Sequence, residues 1–247
     1  MKNNIRIYVK KKLPTDFILL DKKITHYLKN VMRLNIGDKI NIFNEIDGEW
    51  RALIEDLGKK NSKVIVEKKI GFKKKPCDIW IFFAPVKNAR IDFISQKITE
   101  LGSQLIWPVI TERTQNKSIK ESRILSNAIE ATEQCGSTFV PKVNKIEKLD
   151  KIIEKWDEIG QNRTLIFCDE LSKVKPLEKL NELKKTNQND KWALLIGPEG
   201  GFSDVEREKI NKISNLCVIS LGPRVLRSDT AIISALSIFH SILGDWV

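Results

Sequence analysis

The sequence predicts an α/β protein in two parts: a small N-terminal β-barrel, then a larger domain built on a parallel sheet covered by helices. Three observations carry that reading. Short β-rich segments crowd the first part of the chain, and near-continuous apolar strands alternate with helices beyond it. Between the two patterns lies "GFKKKPCD" (71–78), polar, Lys-rich and Pro-containing, the composition of a domain boundary. The expected domains are therefore 1–73 and 74–247.

The N-terminal elements follow from local patterning. "IRIYV" (5–9), "KINIF" (39–43), "EWRALI" (49–54) and "KVIVE" (63–67) concentrate β-formers, and Asp47-Gly48 is a hairpin signal between the middle two. One helix interrupts them, because Ile24, Leu28, Val31 and Leu34 fall at helical spacing. Asp21 is placed to cap its start, and Gly37 lies just past its end. Further on, strands are expected at 78–85, 105–110, 164–170, 191–196 and 216–221, with helices at 90–101, 118–134, 149–158, 176–185 and 203–213. Strands this apolar on both faces mark a parallel, doubly covered sheet. A last helix, 229–243, is apolar nearly all round and is expected to be buried.

Composition narrows the function. A chain of 247 residues, 41% apolar and 30% charged, is a soluble globular balance able to bury a core. No apolar run approaches the length of a membrane span, and "MKNNIRIYVKKK" lacks the apolar stretch and cleavage site of a secretory signal. A cytoplasmic protein without membrane partners is expected. Cys77, Cys135, Cys168 and Cys217 are scattered singly, and His26 and His240 lie near none of them in sequence. A metal site or disulfide framework is therefore disfavoured, and buried free thiols are expected. The net charge of +11 is unevenly placed: residues 1–75 hold 19 Lys and Arg against 9 Asp and Glu, and the rest hold 24 against 23. Basic excess confined to one domain is the footprint of a polyanion, most often nucleic acid; the bland alternative is a solvated lysine-rich surface.

Two Gly-Pro breaks, "GPEGGF" (197–202) and "GPRVLRSDT" (222–230), follow apolar strands directly. Ligands of parallel α/β sheets bind at these carboxyl ends. Glycine lets backbone approach a ligand closely, while Pro198 and Pro223 stiffen the exits. Ser203 and Glu206 have the spacing of a capping box for the next helix. Neither motif has the residues of a phosphate-binding P-loop or the spacing of a dinucleotide fingerprint. Two tight turns would be a sufficient structural reading of each alone. Together, Glu199, Arg224, Arg227 and Asp229 gather charge at one rim of the sheet.

The pair "LLIGPEGGFSDVE" and "SLGPRVLRSDTA" resembles the signature of the RsmE family of ribosomal RNA methyltransferases, within the SPOUT (trefoil-knot) superfamily. "HYLKNVMRLNIGDKI", "QKITELG" (96–102), "ITERTQNK" (110–117) and "IEATEQCG" (129–136) agree in order, so the resemblance spans most of the chain. It implies a PUA-like RNA-binding barrel, a knotted methyltransferase domain, and a homodimer with its active site at the subunit interface. The implied reaction is methyl transfer from S-adenosyl-L-methionine to N3 of one uridine in 16S rRNA of the small ribosomal subunit.

The chemistry then distributes over named residues. Uracil N3 must lose a proton, which places negative charge on the ring oxygens, and a nearby cation favours that anion. Arg227 is assigned this role, with Asp229 taking the proton or orienting Arg227. Cofactor contacts are expected from Leu195, Gly197, Pro198, Glu199, Gly200, Gly201, Ser220, Leu221, Gly222, Val225, Leu226, Ser228 and Thr230. Arg33, Arg90, Lys97, Arg113, Arg123 and Arg224 are candidate RNA contacts, although single charges are more often solvated or ion-paired. Ser228 or Asp229 serves equally well as a cap for the last helix.

Two positions depart from the family pattern: Asp229 stands where Glu is usual, and Ser137 where Arg is common. The first shortens the side chain proposed for proton transfer, and the second removes one expected contact. The general base therefore stays open, as does naked rRNA against an assembled subunit. Two rivals remain: the same knot acting on tRNA or a ribose 2′-hydroxyl, and a non-catalytic RNA-binding assembly factor.

Overall fold

The computed structural model describes residues 5–72, 75–86, 88–186 and 189–247. The chain divides into two compact units, Met1–Lys75 with Thr132–Val140, and Pro76–Ala131 with Pro141–Val247. The boundary expected at 73/74 lies outside the described residues.

The first unit is a curled five-stranded sheet in the order β1 (Arg6–Tyr8), β3 (Lys39–Asn44), β4 (Gly48–Leu57), β5 (Ser62–Gly71), β2 (Phe17–Leu20). The pair β1–β3 is parallel and the other neighbours are antiparallel. Ile7, Ile18, Leu20, Leu28, Ile40, Ile42, Ala52, Ile54 and Val64 fill its interior. The second strand was not foreseen: "FILL" is a short apolar run without visible alternation, yet Ile18 and Leu20 turn inward while Phe17 and Leu19 face solvent. The expected helix also differs. Asp21 caps α1 (Lys22–His26) by accepting the Ile24 N–H, and the chain then widens into a π-helical turn, Tyr27–Val31. That turn keeps Leu28 fully buried while Val31 is exposed. Arg6 joins the C-terminal end of α3 (Glu121–Cys135) to the barrel: its guanidinium pairs with Glu49 and donates to the carbonyls of Thr132, Glu133 and Ser137.

The second unit holds a parallel sheet in the order β12 (Leu216–Ile219), β10 (Thr164–Cys168), β11 (Lys191–Ile196), β6 (Asp78–Phe83), β7 (Leu105–Ile110), β8 (Lys142–Val143), with β9 (Glu147–Lys148) also pairing with β7. The two-residue strands β8 and β9 carry no sequence signal. Alternation along the inner strands supplies two cores. Ile81, Phe83, Ile166, Leu194, Ile196 and Ile219 face one side, with α2 (Asn88–Glu100), α6 (Pro176–Thr186) and α8 (Ser228–Ile242) supplying core residues to it. Phe82, Phe167, Ala193 and Leu195 face the other, together with α4 (Leu149–Glu154), α5 (Trp156–Ile159) and α7 (Asp204–Ile210). This is the doubly covered sheet the strand composition predicts.

Helix α8 is largely buried, as its all-round apolar sequence predicts, and packs against α2, α6 and β11. Strand β12 lies at the sheet edge, so the chain must cross the carboxyl ends of β10 and β11 to reach that place. On the way the Ser220 N–H donates to the Val174 carbonyl in the loop leaving β10.

The expectation of buried thiols holds for Cys168 and Cys217, whereas Cys77 is half-buried and Cys135 is exposed near the end of α3. The fold also brings Cys77, His240 and Asp245 together despite their separation in sequence. Their hydrogen bonds account for that closeness: the Cys77 N–H donates to the Asp245 carboxylate, and the Asp245 N–H donates to His240 Nδ1.

Candidate active site

Crossovers leave β10 and β11 toward opposite faces of the sheet, α6 to one and α7 to the other. A cleft opens at such a switch point because the chain parts there. Three loops wall it: Cys168–Glu170 after β10, Ile196–Gly201 after β11, and Leu221–Ser228 after β12. Backbone shape at the second loop depends on glycine. Gly201 has φ of +67°, and a Cβ there would collide with the Glu170 carboxylate. A Cβ at Gly197 would sit 2.6 Å from the Phe202 ring.

Side chains tie the loops together. Ser228 Oγ donates to the Gly197 carbonyl (3.1 Å), joining the third loop to the second. Ser203 and Glu206 form the expected capping box of α7, and Glu206 also accepts the Glu112 N–H (2.8 Å). Arg113 donates to the Gly200 carbonyl (2.7 Å), and Arg90 pairs with Glu199 (3.2 Å).

Of the residues singled out from sequence, Gly197, Pro198, Glu199, Gly200, Gly201, Leu221, Gly222, Val225, Leu226 and Ser228 line the cleft, as does Arg224. Leu195 does not, because alternation along β11 turns its side chain into the opposite core; Ile196 faces the cleft instead. Ser220 and Thr230 flank the wall without lining it. Arg227 and Asp229 sit at the start of α8, next to lining residues. Arg227 is its N-cap, with extended backbone and an exposed side chain; among the described residues its guanidinium has no hydrogen-bond or ion-pair partner. The Asp229 carboxylate accepts the Thr230 N–H (2.7 Å) and hydroxyl (3.3 Å).

The cationic candidates divide in the same way. Arg90, Arg113, Lys97 and Arg123 are engaged within the chain, the last two with Glu100 and Asp92. Arg33, at φ of +54°, and Arg224 are exposed. Sequence reasoning missed the first wall, Cys168, Asp169 and Glu170, and Ala231 beyond the third loop. The signal was present: "CDE" follows an apolar strand just as the two Gly-Pro loops do, but contains no glycine to draw attention.

The cleft combines apolar walls (Ile196, Leu221, Val225, Leu226) with the carboxylates of Asp169, Glu170 and Glu199. That donor set fits a ligand with a flat apolar ring, polar edges and positive charge. S-adenosylmethionine, with its adenine, ribose, sulfonium and ammonium, is such a ligand. Burial pushes the Cys168 thiol upward, so it lines the cleft as a neutral group.

Fold and cleft together define a SPOUT-type methyltransferase domain with a PUA-like barrel. Residues 73–240 match the family model of the RNA methyltransferase domain, and 20–67 that of the RNA methyltransferase PUA domain. The chain is 30% identical over 239 residues to the ribosomal RNA small subunit methyltransferase E of Rickettsia conorii, covering 96% of this chain and 95% of that one. It is 33% identical over 255 residues to the same enzyme of Buchnera aphidicola subsp. Schizaphis graminum, covering 99% of each. Among solved structures, a putative methyltransferase from Legionella pneumophila with bound cofactor SAM matches at TM-score 0.83 and 33% identity, over 98% of this chain and 99% of that one. The ribosomal RNA small subunit methyltransferase E of Neisseria gonorrhoeae, bound to S-adenosyl methionine, shares the fold at TM-score 0.85 and 24% identity, over 98% and 99%. The chain belongs to the ribosomal RNA small subunit methyltransferase E family.

Proposed function

We propose that the chain methylates N3 of a uridine in 16S rRNA of the small ribosomal subunit, using S-adenosylmethionine. The observation that carries this reading is Arg227. A cation at a helix N-terminus opposes the helix dipole, yet Arg227 stands there exposed and without a partner, beside the cleft. Such a guanidinium is available to an anionic substrate atom.

When bound, S-adenosylmethionine supplies a methyl group already activated on a sulfonium. The protein's task is to orient the reactants and favour the N3 anion. Arg227 faces the uracil oxygens on which charge grows as N3 loses its proton. With the cofactor bound, the methyl would pass to the N3 anion and the N3 proton to water, so the part left to Arg227 is to favour that anion. The loops around Gly197–Gly201 and Leu221–Leu226 would hold the adenine and methionine portions through backbone donors and acceptors, with Ile196 and Leu226 offering apolar surface to the ring. The Asp229 carboxylate fixes the first turn of α8 through Thr230, and so the backbone that presents Arg227.

Arg33 and Arg224, both exposed, are the candidates best placed to meet RNA phosphates. The basic excess of residues 1–75 supplies the longer-range attraction. Val225 in the cleft wall, Leu171 and Val174 in the loop leaving β10, and Phe93 on α2 expose apolar side chains, which supports a homodimer that covers them. Among the described residues no helix is long and apolar enough to cross a membrane, in keeping with a cytoplasmic enzyme.

The test incubates the protein with labelled cofactor and small subunits lacking the modification, then maps the product. Label at uridine N3 is expected. Label on a ribose, on tRNA, or no transfer overturns the assignment.

A further inference from the structure

Arg207 belongs to no loop of the cleft, yet it binds the first wall and the residue just past the second. It lies on α7, where its Nε donates to both oxygens of Asp169 (3.1 and 3.3 Å). One terminal nitrogen donates to Glu170 Oε1 (2.6 Å) and the other to the Phe202 carbonyl (2.5 Å). Asp169 and Glu170 line the cleft after β10, and Phe202 is a core residue immediately past the glycine loop after β11. The side chains of Arg207 and Asp169 are only 13% and 11% exposed, so this network is largely removed from solvent. The Glu170 carboxylate lies against Gly201, where any Cβ would strike it.

From this geometry we infer that Arg207 is a positioning residue for the cofactor, a clamp that sets the spacing between the first and second walls of the cleft. The inference rests on the methyltransferase reading above. Its physics is that of a planar fork with several donors at fixed angles: a guanidinium reaches two carboxylates and a carbonyl at once, and an ammonium does not. Removing it leaves two adjacent carboxylates, one of them well buried, without their counter-ion. Their repulsion, and the lost bond to Phe202, let the walls separate. Arg207 touches neither reacting atom, so its loss acts on cofactor affinity and leaves the chemical step intact.

The test measures cofactor binding by calorimetry and steady-state kinetics on intact Arg207→Gln and Arg207→Lys. Each is first checked for a cooperative thermal transition. In Arg207→Gln, Kd for S-adenosylmethionine and for its thioether product should weaken in parallel, by about tenfold (about 1.4 kcal/mol) or more. KM for the cofactor should rise with Kd, while kcat at saturating cofactor stays within about threefold (about 0.7 kcal/mol). Arg207→Lys should recover part of the affinity. Should Arg207→Gln fold poorly, Arg207→Lys, which keeps the counter-ion and loses the fork, carries the measurement: its Kd should still lie above that of the unsubstituted protein. Cofactor binding unchanged in folded Arg207→Gln overturns the inference, as does a collapse of kcat at saturation. Failure of the unsubstituted protein to bind cofactor would instead overturn the methyltransferase reading.

Discussion

Ser228 Oγ donates to the carbonyl of Gly197 at 3.1 Å, so the first residue of the last helix is bonded to the second wall of the cleft, 31 positions earlier. Ser228 is buried, and its loss leaves that carbonyl without the bond. Ser228→Ala should destabilise the fold by about 1 kcal/mol and weaken cofactor binding, while Ser228→Thr should restore part of both. Urea denaturation and cofactor titration check the pair of outcomes.

Arg227 tests the chemistry. Because its guanidinium has no partner within the described chain, Arg227→Ala should cost little stability. Turnover should fall by at least about a hundredfold (about 2.7 kcal/mol), with cofactor affinity held within about tenfold. Arg227→Lys should recover some turnover, since charge is kept but the planar fork is lost. Single-turnover methylation of small subunits, with cofactor binding measured separately, distinguishes these effects.

Much of this architecture was legible in the sequence because it rests on period and punctuation. The long strands β6, β7, β10 and β11 are apolar on both faces, and the capping box at Ser203 and Glu206 marks the start of α7 at a strand end. What escaped reading depends on tertiary placement. β2 shows its alternation only once Ile18 and Leu20 have a core to face. Leu195 and Ile196 are equivalent in the sequence, and the sheet alone decides which meets the cleft. Asp169, Glu170 and Arg207 are unremarkable surface residue types until the pairing of β10 with β11 sets the start of α7 beside the loop leaving β10.

Asp229 separates a cap-like role from proton transfer. Its carboxylate is spent on the Thr230 N–H and hydroxyl, an interaction the asparagine side-chain oxygen also makes. Asp229→Asn should therefore lower kcat by less than about tenfold (about 1.4 kcal/mol) and leave the shape of the pH–rate profile unchanged. A larger loss, with one limb of that profile missing, assigns the proton to Asp229.

Thiol reactivity reads the burial of the four cysteines. Cys135 is exposed, while burial and the nearby Asp245 and Asp78 carboxylates push the Cys77 thiol up to about 12. Cys168 and Cys217 are buried, and burial raises both, Cys217 to about 11. Only the thiolate reacts, so a disulfide reagent at pH 8 should label one equivalent quickly in the folded protein. The Cys135→Ser variant should lose that fast phase, and denaturant should release the remaining thiols.

His240 makes stability depend on pH in a defined direction. Its ring is fully buried between Phe239 and Trp246, and the charged and ionisable groups facing it are Asp245 and Cys77. Desolvation lowers its pKa, with Asp245 and the Leu101 carbonyl opposing more weakly. The folded state therefore holds His240 neutral at a pH where the unfolded chain, titrating at the usual value of about 6.5, has bound a proton. The unfolded state carries more protons, so stability is full above about pH 6.5 and falls as pH drops toward the lower folded pKa. One proton sets an upper slope of about 1.4 kcal/mol per pH unit. Urea denaturation between pH 7.5 and 5 should show this decline in the unsubstituted protein. His240→Gln should be less stable at pH 7.5 yet flatter across the interval, because its side chain offers Asp245 an acceptor that does not titrate. An equally steep decline in that variant would place the titrating group elsewhere.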